Sequence, residues 1–300
     1  MSPTPVILDT DIGLDVDDVW ALALLLRCPE LDVKLVTTST GDTRYRAALV
    51  AKILETADRT DIPIGIGIPL DHSPRTHDEW LDGFVLSDFR GTIHEDGIGA
   101  MVDTVERCNS KVSIIAIGPL PNVAAALMRS SAVAENARLI GMHGSIRRGY
   151  LGIEKPMREY NVKQHSMACQ AVFASVMEKV ITPLDTCGTV ALAGERFARV
   201  ANSSDPLTRA VLDNHYGWCK AVADWPQLKD LNPQHESSTL FDCVAVYLAL
   251  SERHLKMEDL LIRVTDDGKT LIDPEGMPVR CAMEWRNKEA FLDFLTDRLC

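Results

Sequence analysis

The stretch Leu8–Asp18 reads L-D-T-D-I-G-L-D-V-D-D and holds five aspartates within ten residues, Asp9, Asp11, Asp15, Asp17 and Asp18. It lies between an apolar run at Val6–Leu8, which predicts a buried strand, and a helical pattern at Val19–Arg27. Open α/β sheets bind ligands at the carboxyl ends of parallel strands. Helix capping accounts for one or two acids at a helix start, but not for five. The segment therefore predicts a strand, a ligand-binding loop and a helix.

The same alternation continues through the first 140 residues. Further strands are predicted at Val33–Thr38, Ile62–Ile66, Val112–Ile117 and Arg138–Met142, and helices at Arg44–Arg59 and Pro121–Met128. Strands that alternate with helices form parallel sheets with helices on both faces. The sequence therefore predicts an α/β protein with an open, mostly parallel, doubly wound sheet.

The second half of the chain is less regular. It predicts a loop at Gly144–Met157, helices at Ser166–Val176, Leu207–Ala223, Phe241–Leu250 and Lys288–Leu299, and a small hairpin at Lys269–Val279. No low-complexity linker or internal repeat divides the chain. We therefore expect a single domain over residues 1–300.

The amino-acid composition argues against several classes of function. The 31 Lys and Arg residues against 43 Asp and Glu residues give a net charge of −12, and without a basic patch this balance disfavours nucleic acid as a partner. The eight cysteines are scattered, with no zinc-type spacing. No signal-peptide pattern and no long apolar run occur, so we expect a cytoplasmic protein that does not enter a membrane.

The crowded carboxylates predict a bound cation. Like charges this close raise each other's pKa, and a divalent cation keeps them ionised. Carboxylate oxygens suit Ca²⁺ or Mg²⁺ better than zinc. An EF-hand loop does not fit, because its glycine falls one position early and no glutamate closes it. A D-x-D phosphohydrolase is an open alternative, although Gly13 stands where that class has Thr or Val.

Asp9–Ala23, D-T-D-I-G-L-D-V-D-D-V-W-A-L-A, resembles the amino-terminal signature of the inosine–uridine-preferring nucleoside hydrolase family, usually D-T-D-P-G-x-D-D-A. This chain has two extra residues before the paired aspartates. Four later segments resemble family motifs in the family's order: Val36–Asp42, Ala116–Ala124, Glu159–Asn161 and Leu240–Ala245. The resemblance extends over nearly the whole chain and implies a nucleoside hydrolase type of sheet.

The resemblance also implies a role for each matching position. Ca²⁺ would be held by the side chains of Asp11, Asp18 and Asp242 and by the main-chain carbonyl of Ile117. Substrate contacts are expected from Asp17, Asp42, His143, Glu159, Asn161 and Phe241. Among these, Asp17, Glu159 and Asn161 would bind ribose hydroxyls. Asp42 and His143 stand where the family usually has Asn and Gly.

The implied reaction is hydrolysis of the N-glycosidic bond of a ribonucleoside, with release of ribose and the free base. The metal would lower the pKa of a water molecule, and Asp11 would accept its proton as general base. A catalytically weak or inactive relative that only binds ribose or nucleosides is the alternative without chemistry. The resemblance further implies a homodimer or homotetramer.

Phe241 departs from the family pattern, which often has His immediately before the last metal-binding Asp. A phenyl ring cannot donate a proton to a departing base. His94 is the first candidate for this proton donor. We therefore expect weak activity on inosine and better turnover of pyrimidine or modified nucleosides. Trp80, Trp218 and Trp225 are candidates to stack on the base, although such residues are commonly part of a core.

Overall fold

The computed structural model describes residues 2–70 and 72–300. Within these ranges ten strands form one sheet. They are β1 (Thr4–Thr10), β2 (Leu31–Thr38), β3 (Ile64–Ile66), β4 (Ile93–His94), β5 (Val112–Ala116), β6 (Ala137–Met142), β7 (Glu178–Thr182), β8 (Leu255–Val264), β9 (Thr270–Ile272) and β10 (Met277–Trp285).

The α-helices of the described residues cover both faces of this sheet. They are α1 (Asp17–Leu26), α2 (Thr43–Thr56), α3 (Asp78–Leu81), α4 (Gly97–Arg107), α5 (Pro121–Arg129), α6 (Ala132–Asn136), α7 (Tyr160–Gln164), α8 (Ser166–Ala174), α9 (Leu184–Cys187), α10 (Gly194–Ala201), α11 (Pro206–Ala221), α12 (Cys243–Leu250) and α13 (Lys288–Leu299). None of them is long and apolar enough to cross a membrane.

The strand order is β4-β3-β2-β1-β5-β6-β7-β10-β8-β9. Neighbours from β4 to β10 pair in parallel, whereas β8 pairs antiparallel with both β10 and β9. The chain runs outward from β1 to β4 and then returns to place β5 on the other side of β1. The winding therefore reverses between β1 and β5, and open α/β sheets bind ligands at such a point. The predicted open, mostly parallel, doubly wound sheet is confirmed.

Two apolar layers bury the central strands on both sides. In β1, Val6 and Leu8 belong to the layer that includes buried residues of α1, α2 and α12, whereas Ile7 belongs to the layer of α4, α5 and α8. Successive side chains of a strand point to opposite faces, so a strand buried on both sides is apolar at every position. This explains why β1 remains apolar until Asp9 and becomes polar only at its carboxyl end.

One prediction for the second half is wrong, and two strands were not predicted. The hairpin at Lys269–Val279 is wrong, because β9 and β10 do not pair with each other and instead flank β8. The sequence pattern also predicts no strand at β7 or β8, and the buried and exposed residues of β8 do not alternate regularly along its ten residues. The predicted helices lie within three residues of the observed ends.

Candidate active site

The candidate site begins at the carboxyl ends of β1 and β5, which are linked by a main-chain hydrogen bond. The main-chain N–H of Ile117, just after β5, donates to the carbonyl of Asp9 at 2.9 Å. Asp11 follows β1 and lies against Gly118, where a Cβ atom would approach the Asp11 Oδ1 to 2.7 Å. A glycine at this position therefore lets the Asp11 carboxylate lie directly beside the main chain that follows β5.

Three buried aspartates from two helix starts form the acidic centre. Asp17 and Asp18 lie in the first turn of α1, and Asp242 lies at the amino end of α12. Each offers a carboxylate oxygen, and these oxygens lie within 4.8 Å of one another. Burial first, and then the neighbouring negative charges, raise the pKa of all three carboxyls well above the usual range.

This donor set fits a hard divalent cation. Ca²⁺ and Mg²⁺ prefer oxygen ligands, and carboxylates supply both the oxygens and the charge. Ionised together at buried positions, these carboxylates would repel one another, and their raised pKa values express that cost. A cation held by Asp17, Asp18 and Asp242 would remove that repulsion.

Hydrogen bonds orient Asp18 and the end of β1. The Thr10 hydroxyl donates to the Asp18 carboxylate. The Asp9 carboxylate accepts from the Thr37 hydroxyl at 2.5 Å and from the Asn122 side-chain amide at 2.8 Å. Burial raises the pKa of Asp9 to about 7. Asp9 is therefore tied into the sheet, behind the acidic centre.

The loop between β1 and α1 is fixed through its carbonyl groups. The Ile12 carbonyl accepts from the buried Arg46 guanidinium at 2.8 Å. The Leu14 carbonyl accepts from the Thr76 hydroxyl at 2.9 Å and from the Trp218 indole N–H at 3.0 Å. These donors come from α2, α11 and the segment before α3. Tertiary contacts, rather than a local turn, therefore define the shape of this acidic loop.

Glu159 and Asn161 form a second polar group at the start of α7. The Glu159 carboxylate accepts main-chain N–H bonds from Gly144 at 3.0 Å, Asn161 at 2.6 Å and Val162 at 3.1 Å. Burial nevertheless raises the pKa of Glu159 to about 7. The Asn161 side-chain amide donates to the Ile117 carbonyl at 2.8 Å. This group is therefore linked directly to the end of β5.

A cavity of about 610 Å³ connects the acidic centre with Glu159 and Asn161. Its carboxylate-bearing lining residues are Asp11, Asp15, Asp17, Asp18, Glu159 and Asp242, and its aromatic ones are Tyr150, Tyr160, Trp218, Trp225 and Phe241. Tyr150 and Phe241 contact edge to face at 5.9 Å between ring centroids, as do Trp218 and Trp225 at 6.1 Å. The cavity thus has an acidic floor and an aromatic wall, and its volume suits a small organic ligand.

A family model described as inosine-uridine preferring nucleoside hydrolase matches residues 6–293. The chain belongs to the inosine–uridine-preferring nucleoside hydrolase family. It is similar to the pyrimidine-specific ribonucleoside hydrolase RihA of Escherichia coli O1:K1 / APEC, at 30% identity over 98% of both chains. It is also similar to the non-specific ribonucleoside hydrolase RihC of Klebsiella pneumoniae subsp. pneumoniae, at 30% identity over 71% of this chain and 72% of the relative.

Solved structures agree on the fold. A plant nucleoside hydrolase superposes with a TM-score of 0.84 at 21% identity, and 99% of each chain is covered. The inosine-uridine preferring nucleoside hydrolase of Bacillus anthracis superposes with a TM-score of 0.77 at 18% identity, again over 99% of each chain. The protein is therefore a ribonucleoside hydrolase, an N-glycosidase that acts on nucleosides, and the family membership decides against the D-x-D phosphohydrolase alternative.

The nucleoside hydrolase cavity brings together most of the residues selected from the sequence. Asp11, Asp17, Asp18, Ile117, Glu159, Asn161, Phe241 and Asp242 all line it. Trp218 and Trp225 also line it, whereas Trp80 packs against the Lys52 ammonium, which lies 4.6 Å from the centroid of its ring. The close group of three aspartates includes Asp17, which the resemblance assigns to ribose rather than to the metal.

Three more of the selected residues lie outside the cavity lining. Asp42 is the N-cap of α2, where its carboxylate accepts the Tyr45 N–H at 3.0 Å. His94 is exposed on β4, at one edge of the sheet. His143 is completely buried and donates through Nε2 to the Gly118 carbonyl at 3.1 Å. Burial lowers the pKa of His143 to about 4, which keeps its ring neutral.

Other cavity residues carry no motif that the sequence reveals. Tyr150 and Leu151 come from the segment predicted as a loop, and Leu228 comes from the segment after α11. Asp15 is different, because it belongs to the stretch with two extra residues relative to the usual family signature. That insertion is the one local signal that could have identified Asp15 as a cavity residue.

Proposed function

We propose that this nucleoside hydrolase is Ca²⁺-dependent and hydrolyses the N-glycosidic bond of a ribonucleoside with Asp11 as the general base. The observation that carries the proposal is one shared cavity. Asp11 lines it together with the aspartate group at the starts of α1 and α12 and with Glu159 and Asn161. A ribose bound there would lie beside Asp11, the proposed general base, and beside Glu159 and Asn161, which can form hydrogen bonds with its hydroxyl groups.

The proposed Ca²⁺ ligands are the carboxylates of Asp11, Asp18 and Asp242 and the carbonyl of Ile117, with Asp17 close enough to join them. When bound, such a cation supplies Lewis-acid activation of water and orients the ribose diol. The buried carboxylates support this proposal, because their raised pKa values show how strongly the site disfavours uncompensated negative charge.

The chain's own residues then have distinct tasks. Asp11 accepts the proton of the attacking water, since a carboxylate within reach of the water can act as general base. Asp17, Glu159 and Asn161 hydrogen-bond the ribose hydroxyls and hold the anomeric carbon in place. The transition state of glycoside cleavage resembles an oxocarbenium ion, so the carboxylates of the acidic floor stabilise the positive charge that develops on the sugar.

The aromatic wall is the proposed base-binding side of the cavity. Phe241 is half-buried there and offers a flat apolar surface. A relative named for pyrimidine specificity and another named as non-specific support a substrate range that includes pyrimidine ribonucleosides. We place inosine among the poor substrates, because Phe241 cannot protonate a departing purine.

The direct test measures ribose released from uridine, cytidine, inosine and 4-nitrophenyl riboside, with Ca²⁺ and after exhaustive chelation. We expect release that depends on Ca²⁺, and Asp11→Asn should abolish it while the protein remains folded. Asp103→Asn, a change at an exposed position on α4, is the matched control and should leave activity unchanged. Nucleoside binding without any ribose release would instead identify a binding relative.

The oligomeric state is a further part of the proposal. Family resemblance suggests a homodimer or homotetramer, and light scattering of the purified protein measures it directly. A monomer at micromolar concentration would contradict this part without affecting the proposed chemistry.

A further inference from the structure

Side chains from three other segments hold the turn that follows β5. The pairing of β5 with β6 ends at Ala116 and Gly141. Beyond that point the sheet no longer supplies partners, yet buried main-chain carbonyls need them. Three successive carbonyls of the turn accept side-chain hydrogen bonds instead, namely Ile117 from Asn161 at 2.8 Å, Gly118 from His143 at 3.1 Å and Pro119 from Ser39 at 3.3 Å. These donors therefore set the path of the turn.

Gly118 connects this turn to Asp11. A Cβ atom at Gly118 would lie 2.7 Å from Oδ1 of Asp11 and 2.9 Å from both its Cβ and its main-chain nitrogen. The two residues are packed without a gap, so a shift of Gly118 has to move the Asp11 carboxylate. The preceding residue, Ile117, supplies the carbonyl proposed as a Ca²⁺ ligand, and it would move as well.

His143 is completely buried, and only one of its two ring nitrogens has a hydrogen-bond partner among the described residues. Nε2 faces the Gly118 carbonyl, which can only accept, so the ring carries its proton on Nε2. Nδ1 is a buried acceptor without a donor, which costs free energy that an apolar side chain would avoid. The ring also packs against Phe173, at 6.4 Å between ring centroids. The hydrogen bond to Gly118 is thus what an apolar residue could not provide here.

Gly141 leaves the space that this imidazole occupies. A Cβ atom at Gly141 would lie 2.4 Å from Nδ1 of His143, which is too close for any side chain. Position 143 is also one where the chain departs from the family pattern, which usually has glycine there. A glycine has no side-chain donor and could not hold the Gly118 carbonyl. The hydrogen bond between His143 and Gly118 is therefore a feature of this chain.

We propose that His143 is a positioning residue for hydrolysis, which acts by holding Gly118 and, through it, the Asp11 carboxylate. This inference rests on the proposed function, in which Asp11 is the general base. His143 does not touch the substrate itself, because it is buried and lies outside the cavity lining. Proton transfer needs the carboxylate within hydrogen-bond reach of the water. A displacement of about 1 Å can lower the rate about 100-fold, so a small shift of the turn is enough to impair the reaction.

The first variant removes the hydrogen-bond donor and keeps the volume. In His143→Leu, kcat for the best of uridine, cytidine and inosine at saturating Ca²⁺ should fall about 10- to 100-fold, because Asp11 loses its fixed position. KM should stay within about threefold, since Asp17, Glu159 and Asn161 still bind the ribose. The urea midpoint should remain close to that of the original protein, because removal of the unpartnered Nδ1 offsets the lost hydrogen bond. A purely structural role would instead lower stability and leave kcat unchanged.

Two further variants separate the donor from the rest of the side chain. His143→Gln places an amide nitrogen the same number of bonds from Cβ as Nε2 and should keep kcat within about threefold of the original value. His215→Leu is the matched control, because His215 is also completely buried and donates through Nε2 to a carbonyl at 3.1 Å, that of Pro233. Pro233 lies outside the cavity lining, so this change should leave kcat within about twofold.

Three results would overturn the inference and leave the proposed function intact. They are an unchanged kcat in folded His143→Leu, an equal loss of kcat in His143→Leu and His143→Gln, and a higher KM with unchanged kcat. The last result would indicate displacement of Gly144, whose main-chain N–H binds Glu159. No ribose release by the original protein would instead reject the proposed function itself.

NMR of the ring nitrogens tests the contact in the original protein, so the inference stays testable even if His143→Leu does not fold. His143 should carry its proton on Nε2, with Nδ1 unprotonated. Disappearance of this signal in His143→Gln assigns it. A proton on Nδ1 alone would contradict the inference, because Nε2 could not then donate to the Gly118 carbonyl.

Discussion

Asp9 provides a measurable link between the buried acids and the stability of the fold. Its Oδ1 accepts from Thr37 and Asn122, whereas Oδ2 is buried without a hydrogen-bond partner among the described residues. Burial raises the pKa of Asp9 from 3.8 to about 7. At 1.36 kcal/mol for each pKa unit, the ionised carboxyl costs the folded state about 4 kcal/mol relative to the unfolded chain.

The raised pKa of Asp9 determines whether the stability of the fold rises or falls with pH. Below pH 3.8 Asp9 is protonated in both states and carries no cost. As the pH rises from about 4 to about 7, the unfolded chain ionises first, so the stability contributed by the folded-state proton is lost. Asp9→Asn cannot ionise and avoids this loss. It does place an amide N–H₂ group where Oδ2 lacks a partner, at a pH-independent cost of about 1–3 kcal/mol.

We therefore expect the free energy of unfolding of Asp9→Asn, relative to the original protein, to rise by about 4 kcal/mol between pH 4 and pH 8. Urea unfolding followed by tryptophan fluorescence measures this difference, with chelator present so that a bound cation does not offset the charge. Asp103→Asn on the exposed face of α4 controls for a generic loss of negative charge. A stability difference between Asp9→Asn and the original protein that is constant across this pH range would refute the reasoning.

Four further outcomes are expected. Ca²⁺ at 100-fold excess over Kd should raise the free energy of unfolding by about 2.7 kcal/mol, and unchanged stability and ribose release after exhaustive chelation would contradict the metal assignment. Asp11→Asn should lower kcat by at least about 10²–10⁴-fold, and near-normal turnover of a folded variant would exclude it as the base. A 2′-deoxynucleoside should lose at least about tenfold in kcat/KM, because a buried acceptor left unpaired costs about 1–3 kcal/mol. Trp218→Phe removes the hydrogen bond to the Leu14 carbonyl and should lower kcat/KM about tenfold to a hundredfold. The control Trp285→Phe removes an indole hydrogen bond to the Thr186 carbonyl at 2.9 Å and should affect stability only.

The sequence by itself predicts five parallel strands of the first half, β1, β2, β3, β5 and β6, and the position of the acidic loop, but not β4 or α4. Apolar runs followed by helical patterns predict the parallel strands, because a strand covered on both faces must be apolar at successive positions. The change from Leu8 to Asp9 marks the end of that burial. Local signals of this kind depend only on neighbours in the chain, so they can be interpreted without knowing the fold.

Only the tertiary structure decides which of the acidic and aromatic residues meet. Asp242 joins Asp17 and Asp18 because the starts of α1 and α12 come together in space, although the two helices are far apart in the chain. His94 and His143, which the sequence analysis also selects, lie on an exposed edge strand and in the interior instead. Proximity across long sequence separations is set by strand order and packing, and neither leaves a periodic signal in the amino-acid sequence.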